Sequence, residues 1–369
     1  MSTVHTSTNR IRRFEMREGV IAWMVRDYQA VRTLMSDPRF SLAAAAHLDR
    51  AGTGYGPVNP ELILNMDPPQ HTRLRRPLLR QFTPANAERL RDFLDHTAEE
   101  LLDGFTGPPV DLVEQFAAPL TSIGTCAALD LPPVDHTRLR AWFRPLLALA
   151  EEHAAGAAEA AQEFGDYLAA LLDHPDVRGH GGMADSLVNS LDPDEASGLI
   201  GFLLISGHTF MSVQLTNCVL ELLAHPEQWR QLVADPALVG HAVEELLRFA
   251  PPEAGQLSPR MALEDLELAG VPIQAGDLVV PSAREANRDP STFSNPDELD
   301  ITRERCPHLS FGPGRHHCVG AHLARVELRV ALTALVRRFP GLRLATARQE
   351  LRYRPGLQFQ ELVALPITW

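Results

Sequence analysis

The stretch from His308 to Arg325, HLSFGPGRHHCVGAHLAR, constrains this chain more than any other. Gly312 and Gly314 precede a lone cysteine, Cys318, and Gly320 follows it. Glycine has no Cβ, so the backbone can come close to a sulfur and point N–H groups at it. From Ala321 onward Leu323, Val326, Val330 and Val336 recur at helical spacing. A helix starting just past the cysteine adds its positive end, which favours an anionic sulfur. A free cysteine is ordinarily a small buried hydrophobe; these flanks predict a held thiolate instead. Zinc bound by His316, His317 and Cys318 is the rival, but structural zinc takes two ligand pairs at short spacing, and the sequence has no second pair.

The spacing Phe311-Gly312-x-Gly314-x-His316-x-Cys318-x-Gly320 resembles the haem-binding loop of the cytochrome P-450 family in its bacterial form. The resemblance implies a mainly α fold with small β-sheets, one domain over residues 1–369, and haem b whose iron takes the Cys318 thiolate. It also places His316 on a haem propionate. HTRLRR, residues 71–76, matches the family helix whose His and Arg grip the propionates, here His71 and Arg75. The two are four apart and share a helix face, although a charge run alone is ordinarily a solvated surface. Arg260 matches a further propionate arginine. Glu245 and Arg248 would alone make an everyday helix pair. They match the family's ExxR, with Arg303 of DITR as the third member, in a structural role behind the cysteine loop.

The remaining landmarks follow in the family's order. Val20–Val25 predicts a strand, Tyr28–Met35 a helix, and the Gly- and Pro-rich residues 42–65 a mobile loop. Residues 87–150 alternate amphipathic helices with proline breaks. Residues 151–172 predict an alanine-rich helix interrupted at Gly156 and Gly165, and residues 174–186 a loop. Asp192, Pro193 and Glu195 mark a helix start; the helix runs to about Ala224, where His225-Pro226 ends it, a length of about 45–50 Å. Short strands with turns at Ala269-Gly270 and Ala275-Gly276 predict a small sheet, and Leu362–Leu365 has strand character. In the long helix, LLISGHTFMSVQL resembles the family segment on the oxygen side of haem, with Gly207 at the glycine that admits dioxygen.

Here the chain departs from the family. An acid and then a threonine usually follow, relaying protons toward dioxygen; this chain has Thr209 and Phe210. Phenylalanine has no hydrogen-bonding group. Either Thr209 or an ordered water covers the role in an ordinary hydroxylase, or the site is tuned for coupling, desaturation or rearrangement. Phe210, Met211, Leu257 and Phe359 are the candidate substrate-pocket residues, with Ala254–Leu257 as one wall.

The formal net charge of −13 argues against a general nucleic-acid binder. Cys126, Cys218, Cys306 and Cys318 form no disulfide framework, as expected of a reducing cytosol. The N-terminus lacks an apolar signal core, and no membrane-spanning apolar run is evident, so a soluble cytoplasmic protein is expected. No GxGxxG follows a strand. Electrons are then expected from a separate ferredoxin and its reductase, docking on Arg73, Arg76, Arg305 and Arg315. The activity implied is O2-dependent oxidation of a small molecule in bacterial secondary metabolism. A peroxide-using variant would carry an Arg-Pro pair on the long helix, absent here, and a non-catalytic helper would have lost the cysteine.

Overall fold

The computed structural model describes residues 10–16, 20–46, 61–148, 156–252, 258–357 and 359–369. In chain order its strands are β1 (Ile11–Glu15), β2 (Ile21–Val25), β3 (Phe40–Ser41), β4 (Val110–Asp111), β5 (Arg260–Ala262), β6 (Leu266–Leu268), β7 (Val271–Ile273), β8 (Leu278–Pro281), β9 (Arg343–Leu344) and β10 (Pro366–Thr368). The first helices are α1 (Tyr28–Ser36), α2 (Leu42–Ala46), α3 (Gln70–Gln81), α4 (Pro84–Arg89), α5 (Arg91–Asp103), α6 (Ala118–Ala128) and α7 (His136–Leu146). Then come α8 (Ala157–Leu172), α9 (Met183–Ser190), α10 (Pro193–Ile205), α11 (Met211–Ala224), α12 (Pro226–Ala234), α13 (Val239–Phe249), α14 (Ala283–Ala286) and α15 (Ala321–Arg338). The chain forms two compact units, the first of Met1–Arg75, Glu253–Glu298 and Arg305–Cys318, the second of Arg76–Pro252, Leu299–Glu304 and Val319–Trp369.

The first unit is organised by a five-stranded sheet in the order β1-β2-β8-β5-β3. The central strand β8 is buried at all four positions, as a strand covered on both faces must be. Val31 and Leu34 of α1 pack into one apolar cluster with Val279 and Phe293. The predicted turn at Ala269-Gly270 has positive φ at both residues (49° and 84°), the geometry of a tight two-residue hairpin, and joins β6 to β7. Leu42–Ala46 is helical where the sequence predicted loop, because its short apolar side chains bury Leu42, Ala45 and Ala46. Most of that predicted loop, and the whole Ala254–Leu257 wall, lies outside the described residues.

The second unit is a helical body with the three-stranded sheet β4-β10-β9. Its axis is Pro193–Ala224, 32 residues, formed by α10 and α11 joined through one wider π-type turn, Ser206–Phe210. Asp192 caps it by accepting from the Asp194 N–H, and Pro193 stands at the first turn, as predicted. His225 leaves the helical region ahead of Pro226, since a proline disfavours α geometry in the residue before it. Eleven of fourteen α11 residues are buried, Ser212, Gln214, Thr216 and Asn217 among them, so protein encloses the helix on nearly every side. By length and composition it could cross a membrane, contrary to the sequence expectation, but 56% of its apolar window is buried inside the protein. Gly165 does not interrupt α8, the helix Met183–Ser190 begins inside the loop predicted over 174–186 and runs past it, and the last strand starts at Pro366, just past Leu365.

Candidate functional site

The cysteine loop closes on itself. The Cys318 N–H donates to the Phe311 carbonyl at 2.8 Å and His317 N–H to Gly314 at 3.1 Å. Gly312 and Gly314 adopt left-handed φ of 66° and 82°, a region that favours glycine. A Cβ on Gly314 would stand 2.7 Å from the Met35 carbonyl oxygen and 2.9 Å from Ser36 Cα. These glycines therefore seat the loop against the end of α1, a packing reason beyond freedom around the sulfur. Cys318 is exposed, and the four cysteines carry no disulfide.

Beside that loop the first unit gathers the predicted cations. The His71 and His316 rings lie 4.1 Å apart between centroids. The Nε2 of each is buried with no hydrogen-bond partner among the described residues. Burial, and then neighbouring charges that include Arg75 and Arg315, push His71 down to about 4. Burial, then His71 and Arg260, push His316 down to about 3. Arg260 is buried at 4% exposure and lowered to about 10, chiefly by desolvation, with Asp67 opposing. Arg75 donates to the His317 carbonyl, tying α3 to the cysteine loop. Positive groups and two orphaned imidazole nitrogens are what a pair of carboxylates beside an apolar macrocycle would satisfy, so these residues fit haem. Asp67 and Arg315 belong to the same cluster; Asp67 had no signal in the sequence, and Arg315 was read there as a docking cation.

The ExxR motif and Arg303 form a triad in the second unit, with Glu245 and Arg248 fully buried and Arg303 partly so. Arg248 donates to Glu245 from Nη2 at 2.7 Å and Nε at 2.8 Å, and Arg303 donates from Nε at 2.9 Å. The Asp300 N–H adds a bond of 3.0 Å. Glu245 and Arg248 are both 0% exposed, far from the surface pair that the spacing alone suggests.

In the π-type turn, the predicted residues separate. Phe210 packs edge-on against Phe359, centroids 5.3 Å apart, which joins two candidate pocket residues in one aromatic wall. Met211 is half-buried next to it; Leu257 lies outside the described residues. A Cβ on Gly207 would meet Thr125 Oγ1 at 2.6 Å and Cγ2 at 2.7 Å, so glycine is required here for close packing on α6. Thr209 is 7% exposed and its Oγ1 has no partner among the described residues. It opens on a cavity with His208, Arg140, Arg144 and Glu361. Arg140 and His208 escaped sequence reasoning, although His136, Arg140 and Arg144 repeat at a spacing of four along α7.

The comparisons with known proteins agree on one family. The cytochrome P-450 family model matches residues 165–342. The chain is 38% identical over 363 residues to the mycinamicin IV hydroxylase/epoxidase of Micromonospora griseorubida, covering 95% of this chain and 90% of that protein. It superposes with TM-score 0.88 and 40% identity on the LnmA P-450 hydroxylase of leinamycin biosynthesis in Streptomyces atroolivaceus, covering 98% and 94% of the two chains. A P-450 described as having biaryl coupling reactivity, P-450mel 107F1, gives TM-score 0.87 at 36% identity, with 98% and 94% covered. A glycine-flanked cysteine loop, a cation cluster that fits propionates and relatives that are named oxygenases together identify the chain: it belongs to the cytochrome P-450 family and is a monooxygenase-type oxidoreductase with haem b as cofactor.

Proposed function

We propose that Cys318 supplies the axial thiolate and that His71, Arg75, Arg260 and His316 hold the haem propionates. The observation that carries this is the pair of buried, unpartnered Nε2 atoms set among guanidinium groups beside the cysteine loop. Haem, when bound, supplies reductive activation of dioxygen. The protein's part is to hold the thiolate, neutralise the propionates and keep the reacting region dry. Glu245, Arg248 and Arg303 serve structurally, as a rigid ionic knot in the second unit. Residues 1–369 act as one P-450 domain, a reading supported by a chain that passes repeatedly between the two units.

The substrate is a small organic molecule of bacterial secondary metabolism. Gly207, Thr209 and Phe210 form the segment that serves dioxygen, and Phe210, Met211 and Phe359 line the substrate side. Phe210 cannot donate or accept a hydrogen bond, and its packing on Phe359 makes this wall apolar. That favours coupling, desaturation or rearrangement, in which the substrate's own groups manage the protons. The second reading, ordinary hydroxylation with a water relay through Thr209, draws on the unpartnered Thr209 hydroxyl. Ferredoxin and ferredoxin reductase deliver the electrons in the cytoplasm.

Recombinant protein reduced under carbon monoxide tests the ligand: the wild type is expected to show the red-shifted thiolate band, and Cys318→Ala to lose it. An unaltered spectrum in the variant would remove Cys318 as the ligand. Phe210→Thr is expected to change the share of reducing equivalents recovered in product. Unchanged turnover, coupling and product would return the enzyme to the plain hydroxylases.

A further inference from the structure

Thr209 stands where the family pattern has a carboxylate, and its side chain lines a cavity with Arg140, His208, Ser212 and Glu361. Arg140 is 7% exposed and pairs with Glu114 through Nη2 alone; its Nε and Nη1 have no partner among the described residues. His208 Nε2 and Thr209 Oγ1 are likewise buried and unpartnered. A buried donor left unsatisfied costs about 1–3 kcal/mol, more when charged, so three such side chains on one cavity point to a ligand. The cavity takes little more than a water-sized molecule.

The charges around it set the ligand's sign. Arg140 faces Glu114, while Glu361 is held by Arg144 at 2.6 Å and Arg354 at 3.4 Å. Lining the cavity itself are two guanidinium groups, Arg140 and Arg144, against one carboxylate, Glu361, with Asp111 and Glu114 facing Arg140 from outside it. His136 touches Glu114 at 3.8 Å and does not line the cavity. His208 is neutral, pushed down to about 3 by burial and then Arg140. A neutral imidazole has one N–H, and an anion selects the tautomer that presents it at Nε2, with Nδ1 facing the Thr121 hydroxyl at 3.4 Å. Glu361 opposes an anion, but its charge is already shared by two arginines.

We propose that this cavity binds a small monovalent anion of formate size, held by Arg140, His208 and Thr209 at the position of the family's missing carboxylate. The acid that other chains carry on the long helix is here an exchangeable ligand. The site lies wholly within the second unit and stands apart from the assignment of haem ligands.

Thermal melting of the haem-loaded protein in sodium formate tests it, with sodium gluconate at equal ionic strength as control, since gluconate bears the same charge but is too large to enter. A saturable rise of ~2–5 °C in formate alone is expected. Arg140→Gln should lose the response. Thr209→Glu, which supplies the carboxylate covalently, should lose it too and melt higher without salt. Equal responses to the two salts, or a full formate response in Thr209→Glu, would overturn the proposal. Crystals of the unmodified protein in sodium bromide decide the matter without variants. An anomalous peak within hydrogen-bond reach of Arg140 is expected; peaks confined to the surface would mean that only water occupies the cavity.

Discussion

Glu245 shows how far a single residue's role can depend on its surroundings. Its carboxylate answers Arg248 and Arg303 with no exposure to water at Glu245 or Arg248. Glu245→Ala would remove the carboxylate that both guanidinium groups bond, and breaking a buried pair in this way typically costs about 3–5 kcal/mol; urea unfolding should show a loss of that size. Glu327 is the opposite case. It is 2% exposed, and neither carboxyl oxygen has a partner among the described residues. Burial raises its folded-state affinity for the proton well above the ordinary carboxylate range. The unfolded chain releases that proton at lower pH, so stability falls as pH rises above the ordinary carboxylate value. Glu327→Gln removes the titration, and its unfolding free energy relative to wild type should grow between pH 5 and pH 8; a constant difference would contradict a buried neutral acid.

At the scale of elements, the long helix is held to α6 by an approach that only glycine permits. Gly207→Ala drives a methyl into Thr125, whose β-branched side chain has little rotamer freedom. Overpacking of this kind costs roughly 1–3 kcal/mol. Adding Thr125→Ala removes the two nearest atoms, so the double variant should recover most of the loss, and a double-mutant cycle in urea measures the coupling. Sequence spacing identified Gly207 by its place in a motif. Its packing reason became visible only with α6 alongside, because helix–helix contact is made by residues 82 positions apart. The cysteine loop teaches the same lesson: its glycines were legible in the sequence, and their left-handed φ and their seat against Met35 and Ser36 were not.

For the whole molecule, charge is the relevant quantity. The net charge is −13, yet Arg73, Arg76 and Arg305 are exposed. If these side chains receive an acidic electron donor, Arg76→Glu should slow reduction by ferredoxin about tenfold at low salt, with the defect shrinking as ionic strength rises. Stopped-flow reduction at several salt concentrations reads this directly, and a salt-independent rate equal to wild type would place docking elsewhere.

The sequence alone determined the family, the cysteine loop, the cations His71, Arg75, Arg260 and His316, and the start and stop of the long helix. These are local spacings, and backbone geometry and side-chain chemistry act over a few residues. Tertiary structure alone decided which polar atoms are orphaned. Arg140 looks like any surface arginine on an amphipathic helix, and His208 like any helix residue. Burial against elements distant in the chain is what strips water from them, and it leaves two nitrogens of the Arg140 guanidinium and one of the neutral His208 imidazole without partners among the described residues.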